Sequence, residues 1–492
     1  MQEERQKSLV PLPDKDTIYD YQFDTKAGKW KSWEASVPDL KIKEGTPFHE
    51  ITVPTVDTFR NTYWLTTMIE HKHHLLFTGP TGTGKTLCVK DHLLNGLPQD
   101  KFMAILLSFS AATSSNQTQD IIDSKLDKRR KGVFGPPMGK RAVIFVDDLN
   151  MPALEEYGAQ PPIELLRQWM DHGGWYDLGD KSFRKIVDVQ FVAAMGPPGG
   201  GRTHITRRYC RHYNMIALSN YSEASLTRVF STIMSYFVKP FSRDVQNLAA
   251  GIVEGTIALY NEAGKVLLPT PKKSHYQFNL RDLSKVIAGV MQVKPAKVNE
   301  PDPIIKLWYH ECARVFHDRL TDDEDRFWFK KFTSELVSKC FKKNWAELSS
   351  GPVMFGCFLD LEGDRSYMQI DDMAQVKQIL NDQLADYNVT STKPMDLVLF
   401  QYAVEHVARI ARCLNQPFGN CLLVGVGGSG RQSLTKLAAH ICDMEVISIA
   451  ISKKYGTAEW RGDLKNLLRT GGAKGEPTCF LFNDTQIVLE SF

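Results

Sequence analysis

The residues best suited to chemistry form a glycine-rich run that ends in lysine and threonine. The run matches the pattern G-x-x-x-x-G-K-[ST] at every fixed position and consists of Gly79, Pro80, Thr81, Gly82, Thr83, Gly84, Lys85 and Thr86. Glycines let backbone N–H groups curl around phosphate oxygens. The lysine can reach the β- and γ-phosphates, and the threonine hydroxyl can bind Mg²⁺. The pattern therefore predicts a site for ATP or ADP with Mg²⁺.

The segments on either side of this run are those that the pattern requires. Residues 74–78 are mostly apolar and predict a short buried strand, whereas residues 87–94 predict a helix. A helix that begins at the glycine turn directs the positive end of its dipole at a bound phosphate. Strand, turn and helix together make a chance match improbable.

An acidic partner for this loop follows a second apolar run. Residues 141–146 predict a buried strand, and two carboxylates, Asp147 and Asp148, come directly after it. Asp147 is expected to join the Mg²⁺ shell. Asp148 occupies the position where a water-activating glutamate is usual, and its side chain is shorter by one methylene.

Composition limits the class of protein and its partners. The chain has 492 residues, 42% hydrophobic and 24% charged, with a net charge of +3, and its length suggests about three domains. This charge gives no reason to expect nucleic acid or membrane as a partner, and no run approaches the ~18 apolar residues of a membrane span. Nine cysteines without a C-x-x-C pair indicate a reducing compartment.

Strand and helix patterns alternate after the glycine loop. Strands are predicted at 102–109, 142–147 and 186–195, and helices at 119–126 and 163–170. Such alternation predicts an α/β fold with a parallel sheet and helices on both faces. A hairpin tip is expected at residues 179–181. Amphipathic patterns from residue 222 onward predict an all-helical lid.

A second glycine loop follows about 350 residues after the first one. Its strand is predicted at 421–424, its helix at 434–441 and a partner strand at 478–482; the loop carries Gly425, Gly427, Gly428, Gly430, Arg431 and Gln432. Arg431 replaces the lysine and can pair with phosphate as a wider fork. Asn483 and Asp484 replace the acidic pair, and an amide at the metal position supplies no charge. This second site is expected not to hydrolyse nucleotide.

These patterns divide the chain into five predicted segments. They are an inter-module connector at 1–45, a large α/β subdomain at 46–220, a helical lid at 221–345, a connector at 346–394 and a truncated, degenerate second module at 395–492.

The two modules resemble part of the motor ring of dynein heavy chains. The resemblance rests on four stretches, which are residues 79–86, 145–152, 278–283 and the pair 424–433 with 480–487. They are similar to the third AAA+ module and the start of the fourth in a ring of six. The Arg431–Gln432 pair resembles axonemal, inner-arm forms.

The resemblance implies roles for residues outside the glycine loop. Val53 and Pro54 match the segment that packs the adenine, and Arg281 matches a lid arginine that touches the γ-phosphate. Arg211 matches an arginine finger that completes the site of the preceding module. Gly196 stands where a water-positioning asparagine is common. Gly196 and the short Asp148 side chain predict slow hydrolysis, and the finger for the Lys85 site is expected from the next module.

The resemblance further implies an AAA+ ATPase of the microtubule motor family, located in the cytoplasm and in the axoneme of a cilium or flagellum. The expected partners are the remaining ring modules, microtubules through the full heavy chain, and dynein intermediate and light chains. The chain is expected to be a fragment, a short isoform or an incomplete gene product. Two other functions stay open, a stand-alone AAA+ remodelling ATPase and a structural piece that binds nucleotide without hydrolysing it.

Overall fold

The chain divides into two compact units, residues 1–232 and residues 233–492. We describe them from a computed structural model. It describes residues 10–489 apart from 12, 16, 39, 41, 44, 350, 360–362, 364, 392 and 453. The first nine residues of the predicted connector at 1–45 therefore lie outside the described part.

The first unit alternates strands and helices as its sequence predicts. Its elements are β1 (Tyr21–Asp24), β2 (Lys29–Ser32), α1 (Val56–Glu70), β3 (Leu75–Thr78), α2 (Lys85–Asp91), β4 (Phe102–Ser108), α3 (Ser115–Asp123), β5 (Asp127–Arg130), β6 (Val133–Gly135), β7 (Arg141–Asp147), α4 (Pro161–His172), β8 (Gly174–Tyr176), β9 (Phe183–Ile186), β10 (Val189–Met195), α5 (Arg207–Cys210), β11 (Asn214–Ala217) and the first part of α6 (Glu223–Val238), which runs on into the second unit. Short 3-10 turns occur at Ile18–Asp20, Glu34–Ser36 and Phe48–Glu50, and a π turn at His92–Gly96 extends α2.

A five-stranded sheet in the order β11-β3-β10-β7-β4 forms the centre of this unit. All neighbouring strands are parallel, with Val192 opposite both Leu75 and Phe145. Alternate residues of each strand enter two separate cores. One core joins the sheet to α1 and α2, and the other joins it to α3 and α4. Burial on both faces explains why these strands are apolar throughout, and it confirms the predicted fold class.

A four-stranded sheet, β5-β6-β9-β8, is inserted beside the main one. β8 and β9 form the predicted hairpin, with Lys181 at a φ of 60° near its tip. The prediction of one continuous strand at 186–195 was wrong, because the chain turns at Asp188, where φ is 58°. Residues before the turn join the inserted sheet as β9, and those after it join the main sheet as β10.

The second unit is mainly helical. Its elements are α7 (Arg243–Val266), α8 (Leu280–Val290), α9 (Pro301–Val315), α10 (Asp323–Phe341), α11 (Trp345–Leu348), β12 (Phe355–Gly356), β13 (Met368–Gln369), α12 (Met373–Thr390), α13 (Gln401–Leu414), α14 (Arg431–Ile441), β14 (Glu445–Ile447), α15 (Thr457–Leu468) and β15 (Thr478–Phe480). Short turns occur at His317–Arg319, Arg469–Ala473 and Asp484–Gln486. Helices α7, α8, α9 and α10 pack together, as predicted for a lid.

A buried ion pair joins this helical group to α13. Glu311 of α9 has no side-chain exposure and accepts hydrogen bonds from Arg412 Nε of α13, at 3.1 and 3.0 Å. Arg412 Nη2 contacts the same carboxylate. Tyr367 Oη donates to Glu311 Oε1 at 2.8 Å. Each of these four polar contacts is made away from water, where a charged hydrogen bond is strongest.

Residues 421–424 do not form the predicted strand. Leu422, Val424 and Val426 are 90%, 86% and 80% exposed. In the first unit β3 lies between β10 and β11, which come far later in the sequence, and residues 421–424 have no such neighbours among the described residues. An extended segment needs strand partners for its backbone groups, so the periodicity alone gave a wrong prediction. β14 and β15 do pair in parallel.

Helix α13 begins at Gln401, after an irregular segment that follows α12. The Asn388 side chain accepts from Met395 N at 2.7 Å and donates to Met395 O at 2.8 Å. These bonds hold the segment after α12 as a loop, since they occupy backbone groups that a helix would use. Among the described residues, the helices are too short or too polar to cross a membrane.

Candidate nucleotide site

The glycine loop connects β3 to α2, as the sequence predicts. Gly82 and Gly84 have φ values of 86° and 72°, which side chains rarely adopt. A Cβ at Gly79 would lie 2.4 Å from the carbonyl oxygen of Leu218. Tyr221 Oη donates to Thr83 O at 3.3 Å. The glycines are therefore required by backbone conformation and by close packing, and Tyr221 is a supporting residue that motif reading missed.

The Lys85 ammonium lies against the loop itself. Lys85 Nζ donates to Gly79 O at 2.8 Å, to Pro80 O at 2.6 Å and to Thr83 Oγ1 at 3.2 Å. Its charge is thereby held where the loop would place phosphate oxygens. An ammonium has three donors that can exchange carbonyl acceptors for a charged phosphate.

Thr86 and Asp147 meet as the motif predicts. Thr86 Oγ1 donates to Asp147 Oδ1 at 2.9 Å. Asp147 Oδ1 also accepts a hydrogen bond from Asp148 N at 3.1 Å. Asp147 is 8% exposed, and Lys90 Nζ lies 4.0 Å from its Oδ2. One hydroxyl and one carboxylate at a phosphate loop suit Mg²⁺, which binds few protein oxygens and keeps waters. No cluster of three or more potential metal-binding side chains occurs in the described part of the chain.

Asp148 has an unusual backbone and an arginine neighbour. Its φ is 50°, and its Oδ1 lies 3.7 Å from Arg202 Nη2. Arg202 also lies against Gly196, where a Cβ would be 2.8 Å from Arg202 Nε. No motif spacing points to Arg202, because it follows an irregular glycine-rich segment. The one available signal was the absent side chain at Gly196.

Residues assigned by resemblance are spread over the two units. Val53 is buried just before α1, and Pro54 is half-buried beside it. Arg211 follows α5, is 61% exposed and donates to Asp171 Oδ1 at 2.8 Å. This hydrogen bond lowers the pKa of Asp171. Arg281 is an exposed residue in the first turn of α8. Adenine packing by Val53 and Pro54 and the roles of both arginines stay predictions.

The second glycine loop repeats the backbone of the first. Gly430 precedes α14 with φ 75° and ψ 7°, and Gly84 precedes α2 with φ 72° and ψ 10°. Gly428 and Gly82 also both have positive φ values, of 77° and 86°. Arg431 Nη2 donates to Val426 O at 3.4 Å. The glycine turn and helix of the predicted repeat are thus present, although its first strand is not. Phosphate binding by Gly425, Gly427, Gly428, Gly430 and Arg431 stays a prediction.

Four family models match four separate parts of the chain. They are "P-loop containing dynein motor region" at 40–221, "P-loop containing dynein motor region D4" at 395–492, "Dynein heavy chain, ATPase lid domain" at 233–326 and "Dynein heavy chain AAA lid domain" at 1–35. The matches fall on both glycine loops and on the helical group between them.

Three relatives are similar over nearly the whole chain. "Dynein axonemal heavy chain 1" of Homo sapiens is 46% identical over 484 residues, which are 94% of this chain and 11% of the relative. "Dynein axonemal heavy chain 3" of Homo sapiens is 45% identical over 98% of this chain and 12% of its own length. "Dynein axonemal heavy chain 12" of Mus musculus is 45% identical over 93% of this chain and 16% of its own length.

The chain therefore spans between about a tenth and a sixth of the length of these relatives. The part that it spans carries two phosphate-type glycine turns, and in the first one Lys85 contacts the loop while Thr86 contacts Asp147. On the four family matches and these identities, the chain belongs to the dynein heavy chain family, within its P-loop ATPase motor region.

Proposed function

We propose that this chain is an ATP-binding regulatory section of an axonemal dynein motor ring. One observation carries the proposal, which is the contact between Thr86 and Asp147 beside a loop that holds Lys85. Residues 79–86 would hold the phosphates, and Thr86 and Asp147 would hold Mg²⁺. Bound Mg²⁺ would supply charge compensation for the phosphates. Val53 and Pro54 would pack the adenine.

In this proposal the site regulates the motor through its nucleotide state. ATP and ADP can shift a ring between two arrangements only if each nucleotide contacts the arrangements differently. Arg281 would contribute contacts to the γ-phosphate, and Arg211 would complete the site of the preceding module. The second loop would bind nucleotide without hydrolysing it, through its glycines and Arg431. The predicted segments 46–220, 221–345 and 395–492 would be the subdomains that move.

The wider activity belongs to the whole heavy chain. We propose that this chain works with the remaining ring modules in ciliary or flagellar movement. Microtubules would be bound through the full-length heavy chain, and dynein intermediate and light chains would assemble on it. Its location would be the cytoskeleton of the axoneme. No nucleic acid or membrane partner is part of the proposal.

The test is the affinity of the full chain for a fluorescent ATP analogue with Mg²⁺. Lys85→Ala should lower affinity by at least about 100-fold, because the lysine supplies the ammonium that the loop holds at the phosphate position. Lys128→Ala changes an exposed lysine of β5 and should leave affinity unchanged. Equal affinity of Lys85→Ala and the unaltered chain would show that the loop is not the site.

A further inference from the structure

Asp148 and Arg202 belong to two turns that are bound to each other. Asn150 Nδ2 donates to Gly196 O at 2.8 Å, and Asn150 O accepts from Thr203 N at 2.9 Å. Arg202 N and Gly199 N each donate to the other residue's carbonyl oxygen, at 3.2 and 3.0 Å. The backbone of Arg202 is therefore fixed relative to the turn that carries Asp148.

The guanidinium of Arg202 occupies the space where a side chain at position 196 would lie. A Cβ on Gly196 would be 2.8 Å from Arg202 Nε, 2.9 Å from Cδ and 3.1 Å from Cζ. Gly196 directly follows β10, and Met195 O at the end of that strand accepts from Gly79 N at 3.3 Å. The guanidinium thus lies at the same sheet edge as the start of the phosphate loop.

The Arg202 guanidinium is incompletely satisfied where it meets Asp148. Their 3.7 Å separation is a charge contact, longer than a normal hydrogen bond. Arg202 Nε is buried and has no hydrogen-bond partner among the described residues, and a buried donor without a partner is destabilising. Asp148 keeps a left-handed backbone, which a residue with a side chain adopts only at an energetic cost. Strain and unused donors held at one place are typical of functional sites.

We propose that Arg202 is a specificity-determining residue that distinguishes a triphosphate from a diphosphate at the Lys85 site. Its guanidinium pairs with Asp148 when the terminal phosphate is absent and donates to the terminal phosphate of bound ATP, which leaves the Asp148 carboxylate available to a water. The arginine fork matches phosphate better than the single long contact to Asp148. This inference rests on the proposed function and gives this chain its own residue for sensing nucleotide state.

The test compares two affinities of the full chain, one for a non-hydrolysable ATP analogue and one for ADP, both with Mg²⁺. Arg202→Gln should weaken analogue binding about 10- to 100-fold, the range for hydrogen bonds to a charged group, and should change ADP binding by less than about twofold. Arg202→Lys should give a smaller loss. Arg129→Gln is the control, because Arg129 pairs with Asp188 just before β10, at the opposite end of that strand from Gly196.

A second variant tests the competition directly. Asp148→Asn removes the charge that holds Arg202, so analogue affinity should rise several-fold, and this rise should vanish when Arg202→Gln is also present. If thermal unfolding shows that Arg202→Gln does not fold, Arg202→Lys and Asp148→Asn decide the question.

Equal losses of analogue and ADP affinity would reduce Arg202 to a structural brace, and unchanged analogue affinity would remove it from the site. Both outcomes would overturn the inference. Failure of the proposed function looks different, because the unaltered chain would then not bind nucleotide, or Lys85→Ala would leave its affinity unchanged.

Discussion

The Glu311–Arg412 pair allows a stability prediction with a defined size. In the variant Arg412→Leu, Glu311 keeps its full burial, and Tyr367 is the one strong donor left to it among the described residues. Removing one partner of a buried ion pair costs about 3–5 kcal/mol, because the remaining charge is not compensated. At about 2–4 °C for each kcal/mol in a unit of this size, the unfolding midpoint of the second unit should fall by about 6–20 °C.

The assay must report on the second unit alone. Hydrogen exchange of peptides from α9 and α13, followed across a urea titration, gives the free energy of unfolding for these helices. The double variant Glu311→Gln, Arg412→Met should recover most of the loss, since no buried charge remains and the amide oxygen can accept from Tyr367. Lys265→Met removes an exposed ion pair with Glu262 and should change stability by less than about 0.5 kcal/mol.

A loss below about 1 kcal/mol for Arg412→Leu would refute the reasoning. It would mean that water or another cation reaches Glu311 once the guanidinium is gone. The double variant then separates two explanations. If the double variant also has a free energy of unfolding close to that of the unaltered chain, the site accepts polar and apolar side chains alike. A large loss of stability in the double variant would indicate that packing by these side chains matters more than their charges.

Two further perturbations follow from other contacts. Gly79→Ala should weaken ATP binding more than tenfold, because its Cβ would lie 2.4 Å from Leu218 O, whereas Gly264→Ala, in α7 and outside both glycine loops, has open space around it and should not; fluorescent nucleotide titration checks both. Burial lowers the pKa of His74 from 6.5 to about 4, and its Nδ1 accepts from Phe191 N. The first unit should therefore lose about 3 kcal/mol as pH falls from 6.5 to 4, and His74→Asn should flatten that dependence in unfolding titrations, unlike His49→Gln.

Local patterns were enough to predict the centre of the site. The glycine loop, the strand before it and the contact of Thr86 with Asp147 depend on residue types at fixed spacing and on apolar runs buried on both faces. The same patterns gave the helical group of the second unit. Each of these features is decided mainly by neighbours in the sequence or by burial.

Features that depend on distant partners could not be predicted in this way. Residues 421–424 have the composition of a strand, but a strand exists only when its backbone groups find partners. Arg202 lies in a turn that shows no hydrophobic periodicity. Its side chain fits beside Asp148 because Gly196 has no side chain there. The break at Asp188 likewise depends on pairing of β9 with the inserted sheet.

The exposed run around Leu422, Val424 and Val426 has a practical consequence for all these measurements. Three apolar side chains at alternate positions, with more than three-quarters of each surface in water, form a segment that can pair with the same segment of another molecule. The chain should therefore self-associate as its concentration rises. Affinities and unfolding curves should be recorded over a dilution series, and a charged substitution such as Val424→Lys should suppress the concentration dependence without touching the Lys85 site.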